Sequence, residues 1–301
     1  MPSPSTDAAA RPDIVRHLID TQCPQWAGMP LTALRTSGTE HHAWRLGDDW
    51  IVRLPRDDDA AQGLLKELTW LPRLAGRLPL AIPEVEFAGI ADEGFAHPWL
   101  VSRWIDGEDC AGLVLTDRIA SAWADVLADV VIAVHGVDLT SVPRADWPSG
   151  GRGGRVRSRI QDVLDNPAVM QSLRPGERPT IERVLGTAAD LESAPGPPML
   201  LHADLIPGNL VQRAGILVGL LDFGTLTTGA PAWDLTPAWW ILDAAGRAAF
   251  RDRLCVDDAD WAVGRALALT QGLLARWYYE PRGHALAPLG ARAAAQALSP
   301  D

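Results

Sequence analysis

Lysine is almost absent from this 301-residue chain, in which Lys66 is the only one among 27 basic residues. Acidic residues number 38, so the net charge is −11. This balance argues against nucleic-acid binding, because proteins that bind nucleic acids usually carry basic stripes. A Gly/Arg-rich connection, "SGGRGGRVRSR", lacks the interleaved aromatic residues of such surfaces. The acidic surface fits a cationic partner, or solubility alone.

Cysteines and long apolar runs are also scarce. Cys23, Cys110 and Cys255 are far apart, odd in number and without C-x-x-C spacing, which excludes a disulfide framework or zinc site of the usual pattern. No uninterrupted apolar run reaches about 18 residues, and "MPSPSTDAAARPD" lacks the apolar core of a signal peptide. The sequence predicts a cytoplasmic protein without membrane association, and we expect a monomer or a weak dimer.

Hydrophobic periodicity divides the chain into two parts. "TALRTSGTEHHAWRLGDDWIVRLPR" predicts three strands joined by turns, "AAQGLLKELTWLPRLAGRL" a helix, and "IPEVEFAGIA" and "HPWLVSRWI" two further strands. In the third strand Trp50, Val52 and Leu54 share one face, and Arg53 lies on the other. After "DGEDCAG" the chain is mostly helical, with helices predicted over "WDLTPAWWILDAAGRAAFRDRL" and "DADWAVGRALALTQGLLARWYY". We expect a two-lobed α+β fold, with a small antiparallel-sheet lobe over 1–105 and a larger helical lobe over 106–301.

The segment "LLHADLIPGNLVQ" concentrates polar side chains between apolar runs. A strand leads His202 and Asp204 into a loop, a Pro-Gly turn follows, and Asn209 begins a strand whose hairpin partner, "GILVGLLDF", leads to Asp222. Carboxylate and amide oxygens suit Mg²⁺ together with substrate phosphates, whereas Zn²⁺ would need Cys or His ligands. An Asp that binds no metal can accept a proton from a hydroxyl. Taken singly, each residue also fits a turn that caps backbone N–H groups.

"HADLIPGN" followed by "DFG" resembles the catalytic loop and metal motif of the aminoglycoside phosphotransferase-like kinases, a family related in fold to protein kinases. "GTEHHAWRLGDDWIVRLPR", "LLKELTWLPRL", "WLVSRWIDGE" and "GAPAWDLTPAWWIL" are similar to family segments in the same order, so the resemblance covers most of the chain. It implies a protein-kinase-like fold. The first lobe would bind a nucleotide, and the second would carry the catalytic loop, the metal site and acceptor-binding helices.

The resemblance also implies roles for individual residues. Asp204 would be the catalytic base, and Asn209 and Asp222 would bind Mg²⁺. His202 would support the shape of the loop, and Asp234 would brace it through its backbone. The implied nucleotide-binding residues are Ser37 and Gly38 over the phosphates, Arg53 as phosphate anchor, Glu67 as its ion-pair partner, and Ser102 and Trp104 at the hinge beside the nucleobase. The phosphate donor would be ATP or GTP.

Three positions depart from the family pattern. The loop reads His-Ala-Asp where His-Gly-Asp is more usual, and Ile206 stands where a His or Asp often precedes the Pro-Gly. Arg53 replaces the usual lysine with a wider planar fork, and it could instead be an exposed strand arginine. Lys66 cannot easily substitute, because adjacent helix residues point about 100° apart and only one of Lys66 and Glu67 can face the cleft squarely.

The activity that the resemblance implies is transfer of the γ-phosphate to a hydroxyl of a small molecule. An aminoglycoside or related antibiotic would be inactivated, which would confer resistance. The residues expected to bind this cationic acceptor, between the catalytic loop and the C-terminal helices, are Asp257, Asp258, Asp260, Trp277 and Glu280. The aromatic C-terminal helices leave a macrolide open as acceptor. The sequence also leaves open a metabolite kinase acting on a sugar, choline or homoserine, and a nucleotide-binding pseudokinase.

Overall fold

The computed structural model describes residues 11–34, 40–113, 121–149, 155–191 and 199–299. Its strands are β1 (Leu31–Ala33), β2 (His41–Leu46), β3 (Trp50–Pro55), β4 (Val85–Gly89), β5 (Trp99–Arg103), β6 (Glu108–Asp109), β7 (Met199–Leu201), β8 (Leu210–Arg213), β9 (Ile216–Leu220) and β10 (Thr227–Gly229). Its α-helices are α1 (Pro12–Gln22), α2 (Asp58–Leu74), α3 (Ala124–His135), α4 (Val156–Leu164), α5 (Pro167–Gln171), α6 (Glu177–Asp190), α7 (Pro237–Trp240), α8 (Ala244–Leu254), α9 (Asp258–Tyr279) and α10 (Leu286–Leu298). The predicted α+β fold is confirmed.

The chain divides into two compact units. The first comprises Met1–Arg77, Ala81–Asp106 and Gly219–Gly224, and the second comprises Leu78–Leu80, Gly107–Val218 and Thr225–Asp301. The main change from first to second unit therefore falls between Asp106 and Gly107, next to the lobe boundary predicted after residue 105. The return of Gly219–Gly224 to the first unit was not predicted from the sequence.

The first unit is built on a five-stranded antiparallel sheet in the order β1-β2-β3-β5-β4. Gly47 makes the turn between β2 and β3 with a φ of 56°, a left-handed value that glycine adopts without steric cost. Val52 and Leu54 lie fully buried in a core with Val101 and with Leu18 of α1. Trp50 packs against the same core, so the prediction that Trp50, Val52 and Leu54 share one face of their strand is confirmed.

Helix α2 follows β3 and is held at its start by Asp57. The Asp57 carboxylate accepts the backbone N–H of Ala60 at 2.9 Å, which satisfies one of the helix's first donors. One face of the helix is buried and includes Leu64, Trp70 and Leu71. Glu67 belongs to the same buried set and is fully inaccessible to solvent. A buried carboxylate needs a cationic or hydrogen-bonding partner.

The second unit contains the remaining helices, the sheet β10-β7 and most of the sheet β6-β8-β9, whose strand β9 ends with two residues of the first unit. The helix predicted over "WDLTPAWWILDAAGRAAFRDRL" is interrupted in the structure. A 3-10 segment (Pro231–Leu235) precedes the short α7, and α8 then begins anew, because the Asp243 carboxylate caps it by accepting the N–H of Gly246 at 2.7 Å. No helix in the described part of the chain is long and apolar enough to cross a membrane.

Helices α9 and α10 cross at a close contact that two glycines permit. A methyl group added at Gly272 would lie 2.8 Å from both the Ala294 nitrogen and the Gly290 oxygen, and one at Gly290 would lie 2.6 Å from the Ala275 Cβ. These distances are shorter than real Cβ contacts, so a side chain at either position would force the helices apart.

Replacement of Gly272 by Ala should therefore lower the free energy of unfolding by about 1–3 kcal/mol, the usual cost of overpacking. The matched control is Gly186→Ala in α6, where an added methyl group would meet no atom within 4 Å. That variant should gain roughly 0.5–1 kcal/mol, since alanine is the better helix former. Urea unfolding of both variants tests the contrast, and a neutral Gly272→Ala would contradict the proposed close packing.

Candidate active site

The loop after β7 is organised around the buried carboxylate of Asp234. Its Oδ2 accepts the backbone N–H of His202 at 3.0 Å, and its Oδ1 accepts that of Ala203 at 2.7 Å. Asp234 has no solvent exposure. Two consecutive backbone donors on one carboxylate fix the direction in which the chain approaches Asp204, so Asp234 makes the backbone contacts expected of a brace.

His135, in the last turn of α3, was missed in the sequence analysis. Its Nε2 lies 3.0 Å from Asp234 Oδ2, which gives the brace a third partner. The only local signal was a histidine at the end of the apolar run "VVIAVH", which does not indicate its partner. The loop is tied further by Thr225, whose hydroxyl donates to the His202 carbonyl at 2.9 Å, and by the Asp204 N–H, which donates to His202 Nδ1 at 3.3 Å.

Replacement of His135 by Ala should destabilise the protein by about 1–2 kcal/mol, because a buried carboxylate would lose one of its partners. The His17→Ala variant, at an exposed histidine of α1, is the control and should be near neutral. Unfolding in urea measures both. Identical midpoints for His135→Ala and the parent protein would show that the contact contributes nothing to stability.

Ala203 explains why glycine is more usual at its position. Its φ is 64°, in the left-handed region that side chains with a Cβ adopt at a cost, and it is completely buried. Alanine pairs this strained backbone with the smallest side chain after glycine. The departure from His-Gly-Asp therefore leaves the loop geometry in place.

Asp204 and Asn209 are joined by hydrogen bonds within the second unit. Asn209 ends a 3-10 turn (Pro207–Asn209), and its Nδ2 donates to the Asp204 carbonyl at 2.8 Å and to Asp204 Oδ2 at 3.0 Å. The Asp204 side chain is thus held in one orientation and is only 5% exposed. Since the amide nitrogen of Asn209 points to Asp204, its amide oxygen is directed elsewhere.

In the first unit, Arg53 of β3 and Glu67 of α2 form a two-pronged ion pair. Arg53 Nη1 donates to Glu67 Oε1 at 3.1 Å, and Nη2 donates to Oε2. The alternative that Arg53 is an exposed strand arginine is wrong, because its side chain is 12% exposed. Burial is the largest single influence and opposes the charge on both groups. The attraction and hydrogen bonds between them, together with smaller contributions from neighbouring groups, outweigh it, so the pKa of Arg53 is raised and that of Glu67 is lowered.

Glu67 also holds the segment that contains Asp222. Its Oε1 accepts the backbone N–H of Phe223 at 3.0 Å. Asp222 has a φ of 61°, a left-handed value that is uncommon outside glycine. The negative charge of Asp222 contributes to the raised pKa of Arg53. Arg53, Glu67 and Asp222 therefore form one electrostatic group in the first unit.

The expected hinge residues differ in their surroundings. Ser102 is buried inside the sheet, where it lies opposite Ile51 of β3 and Val85 of β4. Trp104 follows β5, and its backbone N–H donates to the Asp49 backbone carbonyl at 2.7 Å. The Arg45 guanidinium lies 3.9 Å from the centre of the Trp104 ring. Ser37 and Gly38, expected over the phosphates, lie outside the described residues.

A family model described as the phosphotransferase enzyme family matches residues 32–267, which is most of the chain. The protein belongs to this family. A comparison with curated protein sequences finds no match.

Solved structures show the same fold at low sequence identity. The GDP complex of wild-type aminoglycoside 2′-phosphotransferase-IIIa superposes with a TM-score of 0.75 at 18% identity, covering 94% of this chain and 97% of that one. The apoenzyme of the macrolide 2′-phosphotransferase MphH from Brachybacterium faecium has a TM-score of 0.64 at 21% identity and covers 96% and 99%. The phosphotransferase therefore has the two-lobed, kinase-like α+β fold that the sequence predicted.

The five acceptor residues predicted for the phosphotransferase do not gather at one place. Asp257 caps the start of α9 by accepting the Asp260 N–H at 2.8 Å, and Asp258 pairs there with Arg251. Trp277 and Glu280 lie at the other end of this 22-residue helix. At 1.5 Å per residue the ends are roughly 30 Å apart. The expectation of a single acceptor site that contains all five is wrong.

The two ends of α9 also differ in chemistry. At its start, burial and the charge of Asp257 raise the pKa of Asp260. At its other end aromatic rings gather: Trp277 and Tyr278 have ring centroids 6.3 Å apart, and Tyr279 stacks on His284 at 4.5 Å. The phosphotransferase thus has an acidic group and a separate aromatic group on this helix.

Proposed function

We propose that the protein is a Mg²⁺-dependent kinase that transfers the γ-phosphate of ATP or GTP to a hydroxyl group of a small molecule. The observation that carries this proposal is the constrained Asp204 carboxylate, held by Asn209 on a loop that Asp234 braces. Membership of the phosphotransferase family supports the reaction class. Asp204 would orient the acceptor hydroxyl and accept its proton, and the remaining catalysis would come from positioning and charge neutralisation.

The residues expected to bind Mg²⁺ fit its chemistry. The hydrogen bonds of the Asn209 amide nitrogen leave its oxygen as the group that can bind a metal, and Asp222 supplies a carboxylate. Mg²⁺ prefers such a small set of oxygen ligands completed by phosphates and water. Within the described residues, no group of three or more His, Cys, Asp or Glu side chains is arranged as a metal site. When bound, the ion would neutralise charge on the nucleotide phosphates.

Arg53 is proposed as the anchor of the α- and β-phosphates. Its pairing with Glu67 holds the guanidinium in place, and arginine keeps its charge at any physiological pH. Ser37 and Gly38 would cover the phosphates, and Ser102 and Trp104 would adjoin the nucleobase. Structural neighbours that contain GDP or ATP support a nucleotide donor of either kind.

We propose an aminoglycoside as the acceptor, with antibiotic resistance as the consequence. Two observations support this acceptor: the net charge of −11, and the similarity of the fold to solved structures of phosphotransferases in complex with kanamycin or streptomycin. A macrolide is the second candidate, because macrolide phosphotransferases share the fold and α9 ends in aromatic residues. The acceptor would contact only one end of α9. Glu280→Gln should weaken an aminoglycoside that binds at the aromatic end, whereas Asp260→Asn should weaken one that binds at the acidic end.

The test is transfer of label from γ-labelled ATP and, separately, GTP in the presence of Mg²⁺. The acceptors are a panel of aminoglycosides, macrolides, sugars, choline and homoserine, and Asp204→Asn provides the blank. Transfer to an aminoglycoside that disappears in the variant is the expected result. Transfer only to a macrolide or only to a metabolite would show that this compound, and not an aminoglycoside, is the acceptor. Nucleotide binding without transfer to any acceptor or to water would instead indicate a pseudokinase.

A further inference from the structure

One face of helix α2 contacts the segment Asp222–Gly224 and carries the only lysine of the chain. Gly63, Lys66 and Glu67 occupy positions i, i+3 and i+4, which are neighbours on a helix surface. A methyl group added at Gly63 would lie 3.4 Å from the Gly224 Cα, so the segment passes directly over Gly63. Gly63 lies between Lys66 and Glu67 on this face. The two side chains therefore leave the helix on opposite sides of the contact.

This arrangement changes the conclusion drawn from sequence about Lys66. An angle of about 100° between adjacent residues does place Lys66 and Glu67 in different directions. This angle does not turn Lys66 away from the segment Asp222–Gly224, because that segment packs over Gly63, which lies between Lys66 and Glu67 on the helix surface. Glu67 is buried and receives the Phe223 N–H, whereas Lys66 is half-buried on the other side.

The charges around Lys66 agree with this geometry. Burial lowers the pKa of Lys66, and the negative charges of Glu40 and Asp222 act in the opposite direction. The ion pairs found among the described residues do not include Lys66. Its ammonium group is thus a half-buried cation whose charge is stabilised by Glu40 and Asp222.

Arg53 by itself cannot make the same contacts with a phosphate that a lysine would make. Both of its terminal nitrogens donate to Glu67, so the fork that usually gives arginine its two-pronged grip on phosphate is directed at the carboxylate. Lysine carries a compact charge on a flexible four-carbon stem and can adjust to a phosphate oxygen. A single lysine on β3 would both pair with Glu67 and contact a phosphate. Here Arg53 makes the pair with Glu67, and Lys66 carries the compact, adjustable charge.

We propose that Lys66 binds the terminal phosphates of the donor nucleotide from helix α2, beside Asp222, and complements Arg53. This inference rests on the proposed kinase function. It makes Lys66 a second phosphate-binding residue, at a position next to the glutamate that pairs with Arg53. A chain with a single lysine thus uses it at the charged end of the nucleotide.

The test compares Lys66→Met and Lys66→Arg with Arg77→Gln, which removes a charge from an exposed residue just beyond α2. Dissociation constants are measured by calorimetry with Mg²⁺ for non-hydrolysable ATP and GTP analogues, and for adenosine and guanosine. Lys66→Met should bind the triphosphate about tenfold more weakly, as expected for loss of a charge-assisted contact. Lys66→Arg should restore most of the affinity, and nucleoside binding and the thermal midpoint should not change. Arg77→Gln should match the parent protein.

Two results would overturn the inference while leaving the proposed function intact. One is a Lys66→Met variant that binds the triphosphate as well as the parent does. The other is an equal loss of nucleoside and triphosphate affinity, which would mean that Lys66 supports the fold and not the phosphates. A parent protein that binds neither triphosphate would overturn both the inference and the proposed kinase function.

Discussion

Replacement of Asp204 by Asn should reduce kcat by about 10²–10⁴-fold, the range expected when a general base is lost. An amide cannot accept the hydroxyl proton, but it has the same shape as the carboxylate. Its oxygen can still accept the hydrogen bond that Asn209 Nδ2 now donates to Asp204 Oδ2. Folding and nucleotide affinity should therefore stay close to those of the parent protein. The measurement is the initial rate of phosphate transfer with saturating nucleotide and acceptor.

The matched control is Asp162→Asn, the same change at an exposed residue of α4 in the same unit. It should leave kcat unchanged. An Asp204→Asn variant with at least half of the parent rate would show that another group accepts the proton. A variant that loses nucleotide binding as well would assign Asp204 to binding and not to proton transfer.

Removal of the Glu67 carboxylate should have the largest effect on stability. Glu67→Ala leaves the Arg53 charge buried without its partner and deprives the Phe223 N–H of its acceptor. Breaking a buried ion pair in this way costs roughly 3–5 kcal/mol. Glu67→Gln should cost less, because its amide oxygen can still accept one hydrogen bond. Urea unfolding at pH 7 should give free energies of unfolding that decrease from the parent protein to Glu67→Gln to Glu67→Ala. The control Glu84→Ala, at an exposed glutamate of the same unit, should have nearly the stability of the parent protein.

The same pair gives a pH dependence whose sign follows from the lowered pKa of Glu67. Its contribution to stability is complete above the ordinary glutamate pKa of 4.5, and it is lost as the pH falls through the lower value of the folded state. The pKa of Arg53 is raised, so its contribution is complete at every pH below the ordinary arginine pKa and adds no change in the acidic range. The gap in unfolding free energy between the parent and Glu67→Gln should therefore narrow only below about pH 4.5. A gap that narrows between pH 8 and pH 6 would require another titrating group.

The elements that sequence predicted well are those with local signals. Alternation of apolar residues predicted β2 and β3, and the Pro-Gly before Asn209 predicted the turn that leads into β8. The spacing of Asp204, Asn209 and Asp222 predicts the segment that would carry the chemistry. These features depend on residues within a few positions of one another, which is why a single sequence reveals them.

Most of the features that sequence did not predict depend on contacts between distant segments. His135 reaches Asp234 across 99 positions, and no local pattern near either residue indicates the pair. The separation of the acceptor residues along α9 was readable from the length of the predicted helix. It was missed because acidic residues were grouped by their charge and not by their distance. The packing of Gly224 on Gly63, between Lys66 and Glu67 on the helix surface, likewise could not be predicted from helix geometry alone.

The shared oxygen of Glu67 has a consequence for how ligands influence one another. Oε1 accepts hydrogen bonds both from Arg53 and from the Phe223 N–H, immediately after Asp222. If Arg53 anchors the phosphates as proposed, a nucleotide that draws its guanidinium forward would shift the same carboxylate that positions Asp222. By reciprocity, a metal bound at the proposed ligand Asp222 would then change nucleotide affinity by the same factor by which the nucleotide changes metal affinity. On the proposed function, the buried Glu67 carboxylate would thereby couple the binding of the donor nucleotide to that of its metal ion.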